Sequence, residues 1–495
     1  MPFGTPDKSN SKKWGFRRLS LTKPSFGKQN SIDSNNGPAQ VDNHEKILVG
    51  SSPKEKAPVE DIGEADEITN LNSKQSVCDD EEEELDVTGH QTVLKHLATQ
   101  VKVGMDLTRV TLPTFILEKR SLLEMYADFF AHPEFFVLTT RENNAKLRFM
   151  YIVKWYLSSF HTGRKGAVAK KPFNPILGET FRCHWKLPTT ILPSFSQNLL
   201  PSCDESCGNV KEGIQRDSLQ NGAECQKQLV ESGPVPWACA GDATFVAEQV
   251  SHHPPISAFY AECIDKKVEV NGYIHPKSKF LGLSIGVNMI GEAKVKLLDR
   301  KEEYTVTFPS AYGRSILTVP WAELGGKCQI TCESSGYKAA IVFHTKNFYS
   351  KDRHMITCDC FDPSGSKFCV IKGQWNDKMY IMSPGQKTST EIFLDTTSMK
   401  GNSKQVRPLQ EQGENESRSL WRNVISALKV KDLDTATNEK KKLEEKQRND
   451  AKMRLETKQT WETQEFSHAE DGAFLYKHTL SRRLEDMNST CSEVD

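Results

Sequence analysis

Three short stretches of the chain gather residue types suited to holding an anion. His252 and His253 stand side by side in Glu248-Gln249-Val250-Ser251-His252-His253-Pro254-Pro255, and a proline keeps the residue before it extended. Lys171 opens Lys171-Pro172-Phe173-Asn174-Pro175-Ile176-Leu177-Gly178-Glu179, in which two prolines and a glycine impose a bend behind a lysine and an amide. Lys440, Glu444 and Arg448 are spaced four and four, so they share one face of a predicted helix. Imidazole, ammonium and guanidinium groups give a phosphate charge-assisted hydrogen bonds of about 1.5–3 kcal/mol apiece.

Taken singly, each stretch has a plainer account. A histidine is usually a satisfied core residue, and a Lys-Glu-Arg row is usually a surface ion-pair ladder of small value. Zinc is a poor fit to the histidines. Neighbours on a strand point to opposite faces, and no cysteine or carboxylate completes a ligand set at standard spacing.

The elements that must position these residues begin late in the chain. Residues 1–88 are polar, rich in Ser, Asn, Asp and Lys, and read as disordered. Within them Lys12, Lys13, Arg17, Arg18 and Lys23 lie among Trp14, Phe16 and Phe26, either a membrane-surface contact or a solvated tail. Arg17-Arg18-Leu19-Ser20 has the form of a basophilic kinase target, and the run Asp79 to Glu84 reads as a spacer. Helical spacing starts near Thr92 and stops at Gly104, and an extended stretch leads to predicted helices over about 121–130 and 147–160. From about Phe181 to Met382, short runs of two-residue alternation separated by turn clusters predict serial antiparallel strands, which favours a barrel or sandwich. A patternless insert at 188–236 reads as a surface loop, a charged helix is expected over about 435–465, and 468–495 reads as a tail.

The 495 residues carry 65 basic and 65 acidic side chains, so no net field draws the chain to nucleic acid, and any attraction to anionic membranes must be local. The 13 cysteines form no CxxC pair and read as reduced, packed thiols. No apolar run reaches transmembrane length and the start lacks a secretory signal's apolar centre, which predicts a cytosolic chain. Catalytic motifs are missing. Cys332-x5-Lys338 has lysine where a phosphatase loop needs arginine, Leu324-Gly325-Gly326-Lys327 is no P-loop, and GxSxG does not occur.

Glu248 to Pro255 matches the EQVSHHPP fingerprint of the oxysterol-binding-protein-related family without a mismatch. Lys171 to Glu179 resembles that family's KPxNPxLGE motif, and Lys440 to Arg448 its KxxxExxxR helix. The resemblance spans about 90–465. It is strongest to the subgroup of the ninth, tenth and eleventh human members, the ninth above all through Gly313-Arg314-Ser315-Ile316-Leu317-Thr318-Val319-Pro320-Trp321.

That resemblance implies a β-dominated α+β fold over 89–467: a large, nearly complete antiparallel barrel around a lipid tunnel, with a lid at about 92–117 and helices at both ends. It implies a lipid-transfer protein rather than an enzyme, with no cofactor and with lipid cargo: phosphatidylinositol 4-phosphate, exchanged for phosphatidylserine or a sterol. The alternative is a sensor or scaffold without net transport. By motif, the phosphoinositide headgroup falls to Lys171, His252, His253, Lys440, Glu444 and Arg448. A second lipid's headgroup falls to Lys171 and Asn174, and the acyl chains to the lid residues Leu107, Thr108, Val110 and Leu112. Implied partners are membrane lipids, anionic membrane surfaces, and a heterodimer with another family member or an endoplasmic-reticulum receptor. The implied location is the cytoplasmic side of endoplasmic reticulum, Golgi or endosomal membranes. The first 90 residues are too short and polar for the pleckstrin-homology domain of long members, and the acidic run lacks the aromatic pair of their receptor-binding motif.

Overall fold

A computed structural model of the chain describes residues 104–105, 117–163, 170–187, 219–315, 321–346 and 352–492. Of the expected lid, Gly104, Met105 and Leu117 are among them. Leu107, Thr108, Val110 and Leu112 lie outside the described residues, as do the polar stretch 1–88 and residues 188–218 of the insert.

Strand β1 (Leu117–Ser121) runs into helix α1 (Leu122–Ala127), whose first turn is capped by the Ser121 hydroxyl accepting from Leu123 N. Helix α2 (Pro133–Leu138) opens with proline, where the missing N–H costs nothing. Helix α3 (Ala145–Thr162) starts at Asn144, whose side chain accepts from the amides of Lys146 and Leu147. Phe149, Ile152, Val153, Trp155, Tyr156 and Leu157 of α3 are all fully buried, and they occupy more than one face. A helix apolar on several sides is embedded rather than laid on a surface. Trp155 anchors it, with ring centroids 5.5 Å from both Phe130 and Phe136.

The sheet follows: β2 (Lys171–Phe173), paired with β1, then β3 (Thr180–Trp185), β4 (Ala243–His252), β5 (Pro255–Cys263), β6 (Val268–Phe280), β7 (Ser284–Ile290), β8 (Glu292–Leu297), β9 (Glu302–Thr307), β10 (Ser310–Arg314), β11 (Trp321–Cys332), β12 (Lys338–Phe343), β13 (Met355–Phe361), β14 (Lys367–Gln374), β15 (Lys378–Met382) and β16 (Ile392–Asp395). Strands β3 to β16 form one fourteen-stranded sheet, antiparallel throughout. Its order runs from β16 to β3, and among the described residues these two ends do not pair with each other. The interior positions alternate, as β9 and β12 show with every second residue buried. Strand β6 is long enough to pair with β8 over one half and β7 over the other. The break falls at Gly291, where positive φ and the Tyr273 carbonyl leave no room for a Cβ.

The insert holds a helix, α4 (Leu219–Glu231), in place of a loop throughout. After the sheet come α5 (Ser417–Leu420), α6 (Arg422–Lys429) and α7 (Leu433–Thr457), the last beginning two residues before and ending eight before the expected bounds. Residues 468–492 correct the expectation of a tail. Strands β17 (Phe466–His468) and β18 (Phe474–Tyr476) pair, and α8 (Leu480–Ser492) follows. Phe466, Phe474 and Tyr476 pack on Val246, Tyr260 and their neighbours, so this segment buries apolar area against the sheet's outer face.

Candidate anion-binding site

The first two motifs are joined through the backbone. Gly178 N donates to Gln249 O and Gln249 N to Glu179 O, both at 2.9 Å, which fixes the bend after β2 against the end of β4. Gly178 has φ +80°, and the Trp461 indole lies where a Cβ would project, so glycine is required twice over. Glu179 is a buried hub. Its carboxylate accepts from Ser121 Oγ, from Ser417 Oγ at 2.7 Å, from Trp421 Nε1 at 2.9 Å and from Ile176 N at 3.0 Å. Burial pushes its pKa up while those donors pull it back. Glu248 does the same for the chain after α7, accepting from the amides of Gln464 and Glu465 at 2.9 and 2.8 Å.

Helix α7 lays Leu433, Ala436 and Leu443 on a cluster formed by Leu117, Phe173, Trp421 and Val424. That contact turns Lys440, Glu444 and Gln447 toward the other two motifs. Lys440 Nζ pairs with Glu444 at 2.5 Å. Lys171 remains accessible at the start of β2, yet the protein crowded around its amino group lowers its pKa, helped by Lys440 and opposed by Glu444. His252 ends β4 half-buried, and exposed His253 sits edge-on to it with centroids 4.6 Å apart. Burial first, then His253, pushes the His252 pKa down to about 4, against smaller opposing pulls from the Pro175 carbonyl and Glu444.

Gln447, which the four-residue spacing passes over, ties the motifs together. Its Oε1 accepts from Leu177 N at 3.1 Å, so its Nε2 is the donor to His252 Nε2 at 2.5 Å. His252 Nε2 is therefore an acceptor, and the neutral ring carries its proton on Nδ1. Nδ1 is buried and makes no hydrogen bond of normal geometry among the described residues, the Pro175 carbonyl being the acceptor that acts on the ring.

Lys171, His252, His253, Lys440 and Glu444 thus meet in one place. Arg448 lies one turn further along the same face of α7, exposed, with no hydrogen bond or ion pair among the described residues. Asn174 is exposed on the bend after β2. Segments nearly 270 residues apart in sequence have assembled a set of donors around one carboxylate, an arrangement suited to a polyhydroxylated phosphate ester: cations for the phosphate, Glu444 for a hydroxyl.

A family model for oxysterol-binding protein matches residues 96–485. The chain belongs to the oxysterol-binding protein family. It is 50% identical over 408 residues to human oxysterol-binding protein-related protein 9, covering 82% of this chain and 50% of that one. It is 44% identical over 430 residues to human oxysterol-binding protein-related protein 11, covering 86% and 55%. A yeast relative from Saccharomyces cerevisiae, oxysterol-binding protein homolog 7, is 36% identical over 400 residues, 78% of this chain and 79% of that one. The chain spans about half the length of the human relatives it matches. Two crystal structures share the fold. The Osh1 ORD domain in complex with cholesterol has a TM-score of 0.53 at 21% identity, covering 81% of this chain and 98% of that one. The Osh3 ORD from Saccharomyces cerevisiae in complex with PI(4)P has 0.54 at 20%, covering 80% and 93%. The matched region runs past residue 467, in keeping with the folded β17, β18 and start of α8.

Proposed function

We propose that the chain extracts phosphatidylinositol 4-phosphate from one membrane and exchanges it for a second lipid, phosphatidylserine or a sterol, at another where the two lie close. The observation that carries this reading is the convergence of Lys171, His252, His253 and Lys440 around Glu444, with the buried Nδ1 of His252 among them. A lipid phosphate taken from water costs several kcal/mol unless charged donors meet it. Acyl chains cost about 0.8 kcal/mol per methylene in water, so a carrier must also cover them. Asn174 and Lys171 serve a phosphatidylserine headgroup, and Arg448, free on its face of α7, closes on the phosphoinositide. The relatives Osh1 and Osh3 were crystallised with cholesterol and with PI(4)P, which supports one domain accommodating both lipid classes. Because both cargoes need the same interior, they compete, and a phosphoinositide gradient drives the second lipid uphill. The site of action is the cytoplasmic face of endoplasmic reticulum, Golgi or endosomal membranes, and a family-member heterodimer or membrane receptor supplies targeting.

Transfer between liposomes with labelled lipids tests the reading. His252→Ala/His253→Ala should lose phosphatidylinositol 4-phosphate extraction at least about tenfold, as two charge-assisted contacts disappear, with an unchanged circular-dichroism melt. Wild-type extraction by that variant would remove the site from the mechanism. Stoichiometric binding by the wild type without net transport would make the chain a sensor.

A further inference from the structure

Away from the headgroup site, apolar side chains stand in solvent at the turn between β6 and β7. Leu283 is 68% exposed and Leu281 44%. Met105, 39% exposed, joins them through paired backbone hydrogen bonds: Gly104 N to Phe280 O and Phe280 N to Met105 O. Val430, Met453 and Leu455 are exposed elsewhere, on or next to helical segments otherwise rich in charge. The turn is held firmly, with Gly282 at φ +88° and Leu281 N donating to Ser284 O at 2.8 Å.

Charge distinguishes this tip from its surroundings. No acidic residue occurs between Glu269 and Glu292, whereas Lys277 and Lys279 are exposed and two apart on β6, hence on one face. Register places an aromatic level with the tip, two strands over from β7: Ser284 pairs with Arg314 and Arg314 with Trp321, whose ring lies 4.4 Å beneath the Arg353 guanidinium. The acidic neighbours there are exposed Asp352, next to Arg353 in sequence, and buried Glu323, which pairs with Arg314 at 2.8 Å, so the free positive charge of the tip is that of Lys277 and Lys279.

The tip also lies at the right end of the sheet. His252 pairs with Pro255 at the β4–β5 turn, and the last pairing of β5 with β6 is Ser257 with Ile274. Continuing that register sets His275 and Pro276 level with Ile256 and Pro255, so residues 277–281 extend past the histidine turn, by roughly 15 Å for five extended residues. An apolar point with a basic collar, projecting beside the anion site, matches the interface of an anionic bilayer in both polarity and charge.

We propose that the β6–β7 hairpin tip docks the chain on anionic lipid bilayers, with Leu281 and Leu283 entering the apolar edge and Lys277 and Lys279 meeting lipid phosphates. The docking stands independently of the headgroup reading. Its consequence, that His252 and Lys171 are turned toward the membrane from which lipid is drawn, rests on that reading.

The test uses the full chain and vesicles of phosphatidylcholine with or without phosphatidylserine. Leu281→Asp/Leu283→Asp should weaken co-sedimentation with the anionic vesicles at least about tenfold, the scale expected when two leucines no longer leave water. Lys277→Gln/Lys279→Gln should weaken it on anionic vesicles alone. Binding of soluble inositol 1,4-bisphosphate, which needs no membrane, should be unchanged in both. Wild-type sedimentation of the leucine variant overturns the proposal. So does a halved mass by light scattering with vesicle binding intact, which would make the tip a contact between copies. Failure of the wild type to bind the bisphosphate strikes the headgroup site and leaves the vesicle result to decide the docking.

Discussion

His252 is held as a neutral ring by its surroundings, and this makes it a proton acceptor on ligand binding. Burial and the neighbouring His253 take its pKa from 6.5 to about 4, while a phosphate set against Nδ1 favours the imidazolium. The bound ring therefore has the higher pKa, so headgroup binding takes up a proton and tightens as pH falls from about 7 toward 5. Calorimetry of inositol 1,4-bisphosphate binding in two buffers of different ionisation enthalpy should read that uptake, reduced in His252→Ala. Equal heats in both buffers would mean that the ring stays neutral and the phosphate is held elsewhere. Without ligand the sign is opposite. The unfolded ring takes up its proton near 6.5 and the folded one only near 4, so stability present above 6.5 is lost as pH falls through that window, on the order of 2 kcal/mol in all. At this scale the sequence announced the charged members of the site, because an adjacent histidine pair and a lysine before a proline-bounded bend are unusual. It hid Gln447, an uncharged amide three residues beyond Glu444, and it hid Glu179 as a hub, since Ser121, Ser417 and Trp421 meet it only after folding.

Helix α7 delivers Lys440, Glu444 and Gln447 together, so the register of that one element against its apolar seat sets the site. The seat is small: Leu433, Ala436 and Leu443 on a helix otherwise charged and exposed. Gln447 supplies a second, polar anchor by joining Leu177 to His252. Replacing Gln447 by leucine leaves both of those groups without their partner at a half-buried position and frees His252 to turn. Headgroup affinity should fall about three- to tenfold, roughly the worth of one or two net hydrogen bonds, with global stability changed by less than about 2 kcal/mol. Titration with inositol 1,4-bisphosphate beside urea unfolding separates the two effects. Unchanged affinity would deny Gln447 any positioning role. The charge row of α7 was legible as one helical face, and the strands from β3 to β15 were legible as a region of alternation, whereas β16, at Ile392–Asp395, lay beyond it. The β17–β18 hairpin was not, because its three-residue strands are too short to show a period. Their order depends on a distant partner, Asn271, which donates to Phe474 O and accepts from Tyr476 N.

At the scale of the whole molecule, a sheet whose two end strands do not pair among the described residues depends on what is packed across it, and α8 is fastened to its outer face by a buried charge network. Arg483 bonds to Glu262 and to the Leu229 carbonyl of α4, and its Nε donates to His478 O at 2.9 Å. Beside it, Tyr260 Oη lies 2.8 Å from Glu262 and accepts from Leu480 N at 2.8 Å, and Ser481 donates to Glu269 from both its amide and its hydroxyl. Strand β5, insert helix and C-terminal helix are thus tied through one guanidinium, a connection invisible in sequence because the partners lie more than 200 residues apart. Arg483→Ala leaves Glu262 charged and buried without its counter-ion, which should cost about 3–5 kcal/mol at pH 7 in urea unfolding. Burial already raises the Glu262 pKa, and Arg483 is the strongest influence opposing that rise. In the variant the carboxyl escapes its penalty by binding a proton, so the deficit should shrink as pH falls toward about 5. Adding Glu262→Gln should recover part of it at pH 7. A variant as stable as the wild type at every pH would mean that α8 rests on the sheet without bracing it.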